Sequence, residues 1–313
     1  TLELRVVMIA GDRCSAAMPA RPMKIALADC SEHHEGVLTE RPLWEALEAR
    51  GVAYERPDWE DEGVDWASYD VVVVRTTWTY HRMRERFLAW AERVTSLTRL
   101  HNSVEVLRWN SEKSYLKDLL AGGVPVAPTA WFERGESVDL EAVMSERSWS
   151  SGLIKPLVGA VASDTFRLRE GEASVAEAES FLSERLQTQA MMLQPYLSRV
   201  ETEGEVSVML IQGEPTHSVQ KLAVPGDYRV QDAHGGRDHL VELDPELVRI
   251  SKRALGVAPG ESPPLYARVD FLFDDEGAPL VNELEVIEPM LFFQHDPAAA
   301  GVFADAILSS GRA

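Results

Sequence analysis

The sequence predicts an α/β protein whose lobes pack around one cleft, and three observations carry that reading. The chain opens, after residue 22, with a strand, helix, strand order. A mixture of short strands and helix fills the middle, and a strand-rich stretch from about 191 to 290 contains an acid-bearing hairpin. With 313 residues and 45% hydrophobic content, the chain can build two to three compact lobes sharing one site.

Taken in order, residues 1 to 22 show no strand or helix pattern and are expected to form a flexible extension. Their scattered arginines and Asp12 do not make a signal peptide. Met23 to Asp29 reads as the first strand. Pro42 to Arg50 has helical spacing, with Leu43, Ala46 and Leu47 on one face and Gly51 as the stop. Tyr69 to Arg75 supplies the next strand, and its run Val71 to Val74 suits a sheet covered on both faces. A helix over about 82 to 94 follows, closing an N-terminal open α/β domain at 23 to 110. Asn110 or Ser111 is placed to cap a helix from about 112 to 120, which Gly122 and Gly123 end. The central lobe, 111 to 190, carries a helix at 174 to 187, and 191 to 313 forms the third lobe.

The formal charge of -20 argues against a nucleic-acid binder, because phosphate-backbone recognition rests on clustered Lys and Arg. No apolar run approaches the roughly 20 residues that span a bilayer, so no membrane partner is expected. Cys14 and Cys30 make no disulfide framework, and Cys30 with His33 and His34 lacks metal-ligand spacing. A cytoplasmic location fits these features, and a homo-oligomer is compatible with them.

The most informative segment is Tyr266 to Phe273, followed by Asp274-Asp275-Glu276-Gly277 and Leu280 to Glu285. Alternation puts Arg268 and Asp270 on one face of the first strand. If Glu276-Gly277 is a two-residue turn, cross-strand numbers sum to 553, setting Asp270 opposite Glu283 and Arg268 opposite Glu285; a longer turn shifts that register. Carboxylates brought so close raise one another's pKa unless cations neutralise them, and hard oxygen ligands suit Mg2+ bound to phosphates. A solvated polar face is the alternative, weakened by the apolar residues flanking the acids.

Arg268-Val269-Asp270 with Asn282-Glu283-Leu284-Glu285 resembles the metal-binding end of ATP-grasp enzymes such as glutathione synthetase and D-alanine-D-alanine ligase. The resemblance extends from about residue 24 to 295. It implies an ATP-grasp fold with an N-terminal pre-grasp domain, a small lid lobe and a C-terminal mixed-sheet lobe. It implies ATP and Mg2+, with Mn2+ as a substitute, and a metal held by Asp270, Glu283 and Glu285; Glu285 departs from the family's usual Asn. Lys113 and Lys155 match the two nucleotide-binding lysines. Met192 to Leu197 resembles the adenine hinge, with Gln194, Tyr196 and Leu197 at the base, and Glu205 matches the acid that holds ribose hydroxyls. Lys221, Arg229, Gly235 and Gly236 resemble the basic and glycine-containing stretch of glutathione synthetase-like members; Arg229, with Lys221 and Arg268, would act on the transferring phosphoryl group. After Lys155 only Gly159 stands where many relatives carry several glycines.

Val73 to Tyr80, Arg108-Trp109-Asn110 and Glu283 to Pro289 are most similar to the cycloserine biosynthesis ATP-grasp ligases. The implied activity is ligation: a small, amino-acid-like carboxylate is activated as an acyl phosphate and attacked by a nitrogen nucleophile, forming an amide or closing a ring. Arg75, Thr76 and Thr77, just past a strand's carboxyl end, are candidates for holding the substrate carboxylate. A catalytically silent ATP-binding module and a small-molecule kinase are the competing readings.

Overall fold

The computed structural model describes residues 23–33, 38–159, 164–169, 171, 173–230, 234–260 and 263–311; the expected extension at 1–22 lies outside them. Four parallel strands, β1 (Lys24–Asp29), β2 (Ala53–Glu55), β3 (Val71–Thr76) and β4 (Arg99–His101), form the first sheet in the order β2-β1-β3-β4. The helix α1 (Arg41–Ala49) covers one face, burying Leu43 and Leu47, and α2 (Arg84–Leu97) covers the other with Phe87, Trp90 and Val94. That double cover explains why Val71 to Val74 are all fully buried. On the α1 side the cover is completed from the far end of the chain, by the helix Pro297–Ser310, whose Ala300, Phe303 and Ile307 share a core with Ile25, Leu27 and Val71.

The second sheet is antiparallel, β5-β8-β6-β7, built from β5 (Ala130–Phe132), β6 (Gly152–Pro156), β7 (Phe166–Leu168) and β8 (Met191–Gln194). Because β8 is internal to it, this lobe runs past the expected boundary at 190. The expected helix at 174 to 187 is observed as Val175–Leu186, started by a reciprocal Ser174–Glu177 capping box. It packs on the face carrying Ile154, Met191 and Leu193, which leaves Lys155 and Gln194 on the opposite face, toward the cleft.

The third sheet, β11-β10-β9-β12-β13, holds β9 (Glu205–Ile211), β10 (Glu214–Leu222), β11 (Arg237–Val241), β12 (Tyr266–Phe273) and β13 (Pro279–Glu285). One face, with Val208, Leu210, Val269 and Phe271, packs against the helices Tyr115–Ala121 and Pro245–Leu255. The segment after residue 111, assigned from sequence to the central lobe, therefore packs into the core of the third. The other face meets the first lobe at Tyr266 and Met209 and then opens as the floor of the cleft.

Polar anchors hold that floor in place. Asn110 or Ser111 was expected to cap the following helix, which Ser114 precedes; the Asn110 amide instead donates to Leu284 O at 2.7 Å and accepts from Val286 N at 3.0 Å, while Tyr115 Oη accepts from Leu284 N. The free edge of β13 is thereby satisfied by side chains. Asn102 does the same for Leu265, Tyr266 and Val286.

Candidate active site

The register of the β12–β13 hairpin decides what the cleft contains. Arg268 pairs with Glu285 and Asp270 with Glu283, as the sum of 553 predicts, but the reason differs. Asp274 O accepts from Gly277 N and Asp274 N donates to Ala278 O, so the loop has three residues and Gly277 takes the positive φ of 86° such a turn requires. That loop pairs Phe273 with Pro279 and Phe271 with Val281, one step off the expected register. A bulge at Asn282 restores the step. It also turns Asn282 toward the cleft, where its amide donates to Glu205 Oε2 at 2.8 Å and its oxygen accepts from Lys155 Nζ at 3.1 Å.

Asp270 is 2% exposed and fully engaged: Arg268 donates to both of its oxygens, Ser207 Oγ donates to Oδ1, and Lys221 Nζ lies 3.3 Å away. Burial alone would raise its pKa, yet Arg268 and Lys221 hold it well below the usual carboxylate range. Arg268 also bonds Glu285, and Lys221 also pairs with Glu205. Glu283 meets Lys113 at 3.2 Å and Lys155 at 3.9 Å, which depress its pKa against the pull of burial. Burial, incompletely offset by Arg268, pushes Glu285 up to about 8 and Glu288 up to about 7, with neighbouring carboxylates adding to both. Lys155, buried, falls to about 8.

The three carboxylates expected to converge share the cleft face but are each paired with cations, and no group of three or more His, Cys, Asp or Glu placed to hold a metal occurs among the described residues. Asp270 has both oxygens committed to Arg268. Glu283 and Glu285 fit a hard cation better: both are carboxylates on the cleft face, and Asp270, Glu288 and Glu283 add to the burial that raises Glu285.

Above the acids lies a pocket lined by Lys155, Gln194, Tyr196, Leu197, Glu205 and Arg229, among others, so the second lysine, hinge and ribose positions named from sequence share one cavity, while Lys113 lies outside its lining. Gln194 Nε2 donates to Thr129 and Tyr196 Oη to Glu201. Arg229 reaches the pocket from the 223–230 segment, with its guanidinium on Asp227. Gly235 has φ +80° and, with Gly236, precedes β11; neither lines the pocket.

The substrate candidates at the end of β3 are placed differently from expectation. Arg75 is 2% exposed, donates to both oxygens of Glu40 and to Pro289 O, and faces the Tyr266 ring. Thr76 Oγ1 donates to Asp29, and Thr77 is fully buried. A strand end that would be an open rim in an isolated α/β domain is roofed here by the 288–293 segment, to which Arg75 ties the first lobe. Sequence reasoning missed Ser207, Asn282, Tyr228 and Thr165. Ser207 was findable from alternation along β9, two positions after Glu205; Asn282 required the bulge.

Comparison with known proteins follows the same outline. Residues 25–102 match the N-terminal domain of D-cycloserine synthetase DcsG, and residues 136–259 match the prokaryotic glutathione synthetase ATP-grasp domain. The chain is 33% identical over 282 residues to cycloserine biosynthesis protein DcsG of Streptomyces lavendulae, covering 85% of this chain and 91% of that protein. The crystal structure of D-cycloserine synthetase DcsG aligns with TM-score 0.84 and 28% identity over 92% of this chain and 100% of that one. D-alanine-D-alanine ligase from Bacillus anthracis complexed with ATP shares the fold, with TM-score 0.68, 14% identity and coverage of 92% and 97%.

Proposed function

We propose, because this chain belongs to the D-cycloserine synthetase family of ATP-grasp ligases, which form carbon-nitrogen bonds, that it activates an amino-acid-like carboxylate as an acyl phosphate and closes a ring by nitrogen attack. The observation that carries the reading is the meeting of Lys113 and Lys155 at Glu283, on a cleft face also bearing Glu285 and Arg268 and beneath the Gln194 to Leu197 hinge. Cations from two lobes converge there on one carboxylate that lines the same pocket as the hinge.

In that reading Lys113 and Lys155 bind the phosphates, Gln194 to Leu197 receives the adenine, and Glu205 the ribose. Glu283 and Glu285 would hold Mg2+ or Mn2+, which when bound neutralises the transferred phosphoryl oxygens. Arg229 leaves Asp227 for the phosphoryl group. Arg268 keeps Asp270 ionised and in place, and Lys221 braces Glu205. The substrate carboxylate oxygen attacks the γ-phosphorus, ADP departs, and the nitrogen then displaces phosphate from the carbonyl carbon. Positioning and charge stabilisation do this work without a protein nucleophile. An ATP-fed biosynthetic ligase of this kind belongs in the cytoplasm.

Opening the ring's amide bond in D-cycloserine gives β-aminooxy-D-alanine, which is the first acid to try beside a panel of amino acids. Phosphate release with ATP and Mg2+, ring product detected by mass, and a linear hydroxamate when hydroxylamine is added are the expected results. A phosphorylated acid accumulating as the end product would make the protein a kinase, and ATP binding without turnover on any acid would make it a silent module.

A further inference from the structure

A histidine-aspartate pair that the chemistry above does not use stands on the same face of the sheet as the acids. The β10–β11 register sets Asp238 opposite Lys221, and directly opposed side chains share a face with Cβ atoms about 5 Å apart. Asp238 is therefore a cleft-face neighbour of the lysine whose Nζ is 3.3 Å from Asp270. Its Oδ1 is hydrogen-bonded to His295 Nε2.

His295 rides on a segment tied to the site at successive backbone points. Arg75 donates to Pro289 O, Arg268 Nη1 donates to Met290 O at 3.1 Å, and His217 Nε2 bonds Leu291 O. The Phe292 ring lies beneath Lys221 and Arg268, 6.0 and 5.8 Å from its centroid. Asp296 then caps the following helix by accepting from Ala298 N. The segment that carries the imidazole is tied to Arg268, which also holds Asp270 and Glu285, yet the side chain remains 24% exposed and its Nδ1 makes no hydrogen bond among the described residues.

A carboxylate on one ring nitrogen fixes the imidazole's orientation, leaves the other nitrogen as an acceptor and stabilises the imidazolium once a proton arrives. We infer that His295, oriented by Asp238, accepts the proton from the attacking nitrogen in the ring-closing step; this rests on the acyl-phosphate reading. As the nitrogen lone pair forms the C–N bond, the bond from carbonyl carbon to phosphate oxygen breaks and phosphate leaves with its electron pair. The N–H proton passes to His295 Nδ1. Among the described residues, the charged and titratable groups about the ring are Asp238 from β11, His217 from β10 with Lys221 opposite Asp238, and Asp296 beside it in the chain. Lys221 is already paired with Glu205 and Asp270, so Asp238 remains to balance the imidazolium.

The test compares wild type, His295→Gln and Asp238→Asn with ATP, Mg2+ and β-aminooxy-D-alanine, with and without hydroxylamine. Hydroxylamine intercepts the acyl phosphate in bulk solution's place, so linear hydroxamate reports the first step alone. His295→Gln should keep the wild-type hydroxamate rate while ring formation falls about 10²- to 10⁴-fold. Asp238→Asn should lose ring formation by a smaller factor and keep the hydroxamate. Unchanged ring formation in His295→Gln, or ring and hydroxamate falling together in both variants, overturns the assignment. A wild type that forms ring product but no hydroxamate strikes the acyl-phosphate reading first, and this inference with it.

Discussion

Lys113 Nζ lies 3.2 Å from Glu283 Oε1, and the contact joins the segment ahead of the Tyr115–Ala121 helix to the edge strand of the third sheet. Lys155 reaches the same oxygen from the second lobe at 3.9 Å. Glu283 is therefore the counter-charge that keeps two ammonium groups together when no phosphate is between them. In the ATP complex proposed above, phosphate oxygens would take over that role and free the carboxylate for a cation.

Lys155 makes this arrangement pH-sensitive. Burial lowers it to about 8, so in the folded protein its charge is present below that pH and is lost above it, where an ordinary lysine stays charged. The KM for ATP should rise severalfold between about pH 7 and pH 9 in wild type, and Lys155→Arg should flatten that rise because a guanidinium does not titrate there. Steady-state kinetics at several pH values decide it. A wild-type KM that stays constant to about pH 9 would separate Lys155 from the phosphates.

Asp270 and Glu283 should respond differently to neutralisation. Asp270→Asn leaves Arg268 and Lys221 buried without their shared partner, and breaking a buried pair costs about 3–5 kcal/mol. Glu283, with 24% of its side chain exposed, leaves its lysines freer to reach solvent. Glu283→Gln should therefore lose metal-dependent turnover with little change in denaturant midpoint, whereas Asp270→Asn should lose both. Equal midpoints for the two variants would show that the Arg268–Asp270 contacts contribute nothing net.

Alternation made it legible that Arg268 and Asp270 share a face, whereas the pairing of Asp270 with Glu283 was reached through a two-residue turn that the structure does not have. The three-residue loop and the Asn282 bulge were not legible, since each shifts the register by one and the two cancel at the acids. Val71 to Val74 announced a doubly covered strand correctly, but the cover on the α1 side is completed by Pro297–Ser310, from more than two hundred residues away, and no local pattern encodes that. Arg75 was misread for the same reason: Glu40 and Pro289, which bury it, are supplied by other elements. Local periodicity reports faces. Partners across lobes are set by packing that a one-dimensional pattern does not contain.

Glu285 predicts the pH dependence of stability in the metal-free protein. The folded state keeps its proton up to about 8, while the unfolded chain releases it near the ordinary 4.5. Between those values the folded state binds more protons, so stability falls as pH rises through the window. Melting temperature in a chelating buffer should drop from about pH 5.5 to pH 8, and Glu285→Gln should reduce the drop. Adding Mg2+ with ATP should release protons near pH 7, visible as heat that varies with buffer ionisation enthalpy. Melting that is flat with pH in both proteins would mean that Glu285 is ionised throughout.

Gly204 tests whether the cleft floor tolerates any adjustment where β9 begins. Its φ of 68° and ψ of -148° belong to a region that only glycine adopts freely, and a Cβ there would stand 1.9 Å from Lys221 O. The backbone conformation alone costs an alanine about 1–3 kcal/mol. The clash adds to this, because the obstacle is main chain and cannot rotate away. Relief requires β9 and β10 to separate at the Glu205–Lys221 pair, which loosens Lys221 from Asp270 and Glu205 from Asn282. Gly204→Ala should therefore lower the melting temperature and raise the KM for ATP together, although residue 204 carries no functional group of its own. Lower stability with an unchanged KM would show that the strands absorb the strain away from the nucleotide pocket, and that Glu205 is not held in register by this turn.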